Sequence, residues 1–85
     1  MKATAVNERR KSPRRKVLKS GKILFGNGTV FDCAVRDLSQ SGARIEVSVP
    51  WTIPNAFTLA IASDSFERAC RVTRVSKKYL GVAFQ

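Results

Sequence analysis

The chain contains no histidine, which removes the side chain most used for proton transfer near neutral pH and the imidazole ligands of zinc sites. Acids are scarce, six against sixteen lysines and arginines. Those beyond Glu8, namely Asp32, Asp37, Glu46, Asp64 and Glu67, are scattered without a paired spacing. No glycine-rich loop ends in Lys-Ser or Lys-Thr, so an ATP-type phosphate cradle is missing. No apolar run approaches the roughly 18 residues of a membrane span, and the N-terminus lacks the apolar core and cleavage site of a secretory signal. The only cysteines are Cys33 and Cys70, with no Cys-x-x-Cys. Both read as reduced core residues of a cytoplasmic protein, since a free thiol behaves as a small hydrophobe. These absences point to a binding protein, not an enzyme, with no metal and no cofactor expected.

What is abundant is positive charge, and it is unevenly placed. Of the formal net charge of +10, residues 1–22 carry +8, with nine basic side chains against Glu8 alone. The rest of the chain is close to neutral at +2. A cationic segment attached to a near-neutral body implies a partner bearing phosphate or an acidic surface. Residues 1–15 lack apolar periodicity and contain Pro13, so they read as a basic arm, flexible until a ligand engages it. Residues 16–85 are a single domain, since a chain of 85 residues has no room for a second core.

From Lys16 onward short apolar runs alternate with turn residues. Val17–Phe25 reads as a strand, with Gly21 marking a bulge. Gly26-Asn27-Gly28 is a hairpin turn, because Asn and Gly tolerate positive φ, and Thr29–Leu38 returns with Phe31, Cys33 and Val35 on one face. Ala43, Ile45, Val47 and Val49 share the apolar face of the next strand. An irregular connection follows over Pro50–Asn55, then a strand carrying Phe57, Leu59 and Ile61, and a turn at Ser63-Asp64-Ser65. Phe66–Val75 and Tyr79–Phe84 form a last hairpin, with Leu80, Val82 and Phe84 inward. Six strands without a helix predict an all-β fold, a small antiparallel barrel or sandwich. Closure into a barrel is favoured because it removes exposed strand edges.

Two segments carry chemistry. In the arm, Arg9, Arg10 and Arg14 each present a planar fork that matches phosphate bidentately. Arginine also stacks on bases and reads the O6/N7 edge of guanine. Taken alone, this reads as a solvated basic tail or a general polyanion grip. At the end of the second strand, Asp37-Leu38-Ser39-Gln40-Ser41-Gly42 supplies a carboxylate, a hydroxyl and a glycine that permits positive φ or close backbone approach. Taken alone, this reads as a plain strand connection. Together they make a guanine-nucleotide pocket: the Asp37 carboxylate can accept from guanine N1–H and N2–H₂, whereas adenine N1 is itself an acceptor.

These two motifs, Arg10-x-x-x-Arg14 and Asp37-x-Ser39-x-x-Gly42, resemble those of the PilZ domain, a family of bacterial receptors for cyclic di-GMP. The last strand, Leu80-Gly81-Val82-Ala83-Phe84, is also similar to that of the family, and the resemblance spans roughly residues 8–85. It implies a PilZ-like six-stranded barrel. Arg10 and Arg14 would grip phosphates and a guanine, Asp37 and Ser39 would contact a guanine from the barrel, and Gly42 would let the backbone pass close. Arg9 holds the position that in the family influences whether one or two ligand molecules bind. Arg15, where the family often has an apolar residue, and Ala43, where a second glycine is common, depart from the pattern outside the motif positions.

The resemblance further implies an order switch. The ligand would clamp the arm to the barrel and create a surface for a protein partner in trans, without membrane insertion. Fixing about ten arm residues costs on the order of 10–15 kcal/mol, against roughly 1.5–3 kcal/mol for each charge-assisted hydrogen bond. Several contacts are therefore needed before the arm docks. Two alternatives remain: a basic barrel binding single-stranded nucleic acid, or a ligand-free protein adaptor. Against nucleic acid stand the near-neutral body and the aromatics. Phe25, Phe31, Phe57, Phe66 and Phe84 fall mostly at inward positions, leaving Trp51 and Tyr79 as stacking surfaces.

Overall fold

The computed structural model describes residues 14–85. Six strands run in the order β1 (Arg15–Phe25), β2 (Thr29–Leu38), β3 (Gly42–Glu46), β4 (Ala56–Ile61), β5 (Phe66–Val75) and β6 (Tyr79–Phe84). They close into an antiparallel barrel with neighbours β1-β2-β3-β6-β5-β4. The expected flexible arm falls almost wholly on residues 1–13, outside the described residues, as do Arg9 and Arg10.

Alternation along each strand sends one set of side chains to the barrel interior. Ile23, Val35, Ile45, Leu59, Ile61, Cys70 and Leu80 are fully buried there, so every strand contributes to one core. The β1–β2 hairpin closes through Gly26 and Gly28, both at positive φ (63° and 103°), which an L side chain rarely adopts. Pro50–Thr52 and Ala62–Asp64 are single 3-10 turns at the ends of β3 and β4. Cys33 and Cys70 are free thiols. Burial pushes the Cys33 thiol up to about 11, with the neighbouring Asp32 carboxylate adding to the shift, and burial raises Cys70 as well.

Two strand details differ from the sequence expectation. Gly21 marks no bulge: it sits in register opposite Cys33, and the slip in β1 falls between Lys16 and Lys19. The reason for glycine is interior space, since a Cβ there would lie 3.1 Å from Cys33 Sγ and 3.2 Å from Val35 Cγ2. Val49 does not continue the apolar face of β3. That strand ends at Glu46, Val49 is exposed, and Pro50 is buried in its place.

Two further slips decide what faces outward. Arg36 is an extra residue of β2 between the Val35↔Ile45 and Asp37↔Arg44 pairs, and Thr73 is an extra residue of β5 between Val72↔Val82 and Arg74↔Gly81. Strict alternation would have put Asp37 inward with Val35, and Arg74 inward with Val72. Each bulge instead turns the following side chain to the outer face, beside Arg44 and Gly81 respectively.

Candidate functional site

The segment after β2 builds its own turn. Ser39 N–H donates to the Gly42 carbonyl at 2.9 Å. The Ser39 hydroxyl accepts from the N–H groups of Ser41 (3.2 Å) and Gly42 (3.1 Å), and lies 3.2 Å from the Gly42 carbonyl as a donor. A serine at this place therefore satisfies backbone groups that the reversal from β2 to β3 leaves unpaired. Gly42 serves close approach, but toward the protein itself: an added Cβ would stand 2.3 Å from the Val82 carbonyl oxygen of β6.

Asp37 is the one buried charged residue of the barrel, 7% exposed. Arg44 Nε donates to its Oδ2 at 2.5 Å. The Arg44 guanidinium also lies 4.6 Å from the Tyr79 ring centroid, a cation–π contact that fixes its plane. The hydrogen bond to Asp37 raises the Arg44 pKa further above its ordinary value. Asp37 is thus held behind Arg44, and the surface presents the arginine first.

In front of these residues lies a groove of about 730 Å³ across β3, β6 and β5. Gly42, Gly81 and Ala83 form its floor, Arg44, Tyr79 and Arg74 stand along it, and Ser39 and Arg14 border it. Arg14 reaches the groove because Arg15, the next residue, pairs with Leu38 at the foot of the Ser39 turn. Of the residues singled out in the sequence, Arg14, Ser39 and Gly42 are brought together at one end of the groove, and Asp37 stands behind Arg44. A second hollow of about 640 Å³ lies between the β1–β2 turn and the start of β4, lined mainly by apolar groups such as Phe25, Val30 and Phe57. It contains no charged side chain.

Ion pairing changes what the charge count meant. Asp64 pairs with Lys19 (3.0 Å), Asp32 with Lys22, Glu46 with Arg36 (2.8 Å) and Asp37 with Arg44. The near-neutral sum of the body thus conceals acids consumed by β1 to β3. The segment 66–79 carries Arg68, Arg71, Arg74, Lys77 and Lys78 against Glu67 alone. Among the described residues no group of three or more His, Cys, Asp and Glu could hold a metal ion. Nor is any helix there long and apolar enough to cross a membrane.

Arg44 and Arg74 were not among the sequence candidates. Arg44 had a usable signal, being the polar member of an alternating strand two residues beyond Gly42. Arg74 had almost none, because its outward direction depends on the Thr73 bulge.

The profile of the PilZ domain family matches residues 8–85, which covers both motifs and all six strands. The chain belongs to the PilZ domain family. PilZ domains are binding and adaptor modules, and the family is one of cyclic di-GMP receptors. A comparison with curated proteins returns no match.

Proposed function

We propose that this PilZ domain binds cyclic di-GMP in the groove over β3, β6 and β5, and that it acts as a receptor, not an enzyme. The observation that carries this reading is the meeting of Arg14, which precedes β1, with Ser39 and Gly42, which follow β2, at one end of the groove. Arg14 supplies a cation with no acidic partner among the described residues. With Arg9 and Arg10 it would grip one phosphate and one guanine.

Asp37 reads the other guanine. Its carboxylate accepts N–H donors, and in the free protein Arg44 Nε–H occupies that role. A guanine edge arriving with N1–H and N2–H₂ adds two neutral donors to that carboxylate, with Arg44 kept beside it as its counter-charge. Ser39 holds the turn that sets the distance between Asp37 and Gly42. Docking of the arm over the groove would then signal to a protein partner in trans, within the cytoplasm, with no cofactor required.

Isothermal titration with cyclic di-GMP, cyclic di-AMP, GMP and a short single-stranded DNA, each at two salt concentrations, tests this. The expected result is saturable binding of cyclic di-GMP, weaker binding of the others and a shallow salt dependence. Silence with cyclic di-GMP at low-micromolar protein, or tighter DNA binding that collapses with salt, would overturn the proposal.

A further inference from the structure

The motif residues occupy only one end of the groove. From the Ser39 turn it continues across β6 to β5, where Thr73, Arg74 and Ser76 border it. The register puts Arg44, Gly81 and Arg74 in one row on the outer face, since Arg44 pairs with Gly81 and Gly81 with Arg74. Neighbouring strands lie about 4.8 Å apart, so the two arginine Cα atoms stand roughly 10 Å from each other across a glycine.

That glycine is not required by the fold. Its φ is outside the left-handed range, and an added Cβ would meet nothing closer than 3.5 Å. Gly42, by contrast, has no room for any side chain. What the hydrogen atom at position 81 leaves is open floor between two guanidinium groups. The β5 bulge that aims Arg74 over this floor is held by Thr73, whose hydroxyl donates to the Gly81 carbonyl at 3.1 Å.

The charges along the groove are also unequal. Arg44 is neutralised by Asp37. Arg14 at the motif end and Arg74 at the far end have no acidic partner among the described residues. The groove therefore offers two uncompensated cations at separate ends of one floor. A mononucleotide can satisfy one end. A cyclic dinucleotide, with two phosphodiester charges held apart by its ring, can satisfy both.

We infer that Arg74, over the floor left by Gly81, is the residue that selects a cyclic dinucleotide over a mononucleotide, by taking the second phosphate. This rests on the proposed receptor function. The test is titration of wild type, Arg74→Ala, Arg68→Ala and Gly81→Ala with cyclic di-GMP and with GMP at one salt concentration. Arg68 is an exposed arginine of the same strand that does not border the groove and whose cross-strand partner, Leu59, does not line it, so its removal subtracts the same charge away from the site.

Arg74→Ala is expected to lower cyclic di-GMP affinity about tenfold or more, the loss of a charge-assisted hydrogen bond, and to leave GMP nearly unchanged. Arg68→Ala should change both less than about twofold, as for a distant screened charge. Gly81→Ala should fold normally and weaken the dinucleotide selectively. If wild type binds but Arg74→Ala behaves like Arg68→Ala, or loses both ligands equally, the selectivity role is wrong while the receptor reading stands. If wild type binds no cyclic di-GMP, the receptor reading fails and takes this inference with it.

Discussion

Replacing Gly42 by alanine places a methyl group 2.3 Å from the Val82 carbonyl oxygen, where ordinary contact begins near 3.4 Å. The obstacle is backbone in a paired strand, so no rotamer change relieves it. Strands β3 and β6 must separate by about 1 Å at the Gly42↔Ala83 pair, or the Ser39 turn must distort. A cost of about 3 kcal/mol follows, the upper part of the usual overpacking range. For a domain of this size that is a fall in Tm of roughly 12–24 °C. Gly81→Ala is the internal control: it lies on the same sheet, but its Cβ meets only ordinary contacts at 3.5 Å. At a compatible φ the change should leave Tm unchanged or raise it, by about 0.4–1 kcal/mol of unfolded-state entropy. Thermal unfolding followed by circular dichroism reads both. Equal Tm values for the two variants, or a fall below about 5 °C for Gly42→Ala, would refute the reasoning that Gly42 is dictated by the approach of β6.

Three further outcomes are expected. Ser39→Ala removes the hydroxyl that accepts from Ser41 and Gly42 N–H; urea titration should show a loss of about 1 kcal/mol, and affinity for cyclic di-GMP should fall because the turn loosens. Asp64 is held below its ordinary pKa, chiefly by its hydrogen bond from Lys19. A depressed folded pKa contributes stability above the unfolded value near 3.9, lost as pH falls through the folded value, so Asp64→Asn should lower Tm slightly at pH 7 and leave it unchanged well below about pH 4, which flattens the profile between the two. Cys33, raised to about 11 by burial, should react with a thiol reagent at pH 8 far more slowly than an unfolded control. Labelling at the unfolded rate would contradict its protected, protonated state.

The barrel was legible because its strands obey a period of two and its turns carry their own chemistry. Gly26-Asn27-Gly28 fixed the first hairpin, and β2, β5 and β6 begin and end at the residues where apolar alternation starts and stops. The two-residue period does not carry through a strand that gains a residue. Periodicity would place Asp37 on the core face with Phe31, Cys33 and Val35, but the Arg36 bulge turns it out to Arg44. The same holds for Arg74 after Thr73. Register is a property of two strands, so neither bulge can be read from one strand alone. Gly21 was read as backbone punctuation when the constraint is the width of the barrel interior, a nonlocal quantity. Summed charge likewise missed that four acids are consumed by lysines and arginines of β1 to β3, leaving β5 basic.

The central claim is that Arg14, the Ser39–Gly42 turn and the floor of β6 form one cyclic di-GMP site. It is tested most directly by an amide ¹H–¹⁵N NMR titration with that ligand. The account predicts saturating shifts concentrated at Ser39, Ser41, Gly42 and Arg44, at Tyr79 and Gly81, and at Thr73 and Arg74, with Leu24–Val30 and Ala56–Thr58 unmoved. Shifts clustered instead around the second hollow at Phe25, Val30 and Phe57, or no shifts at all, would contradict it.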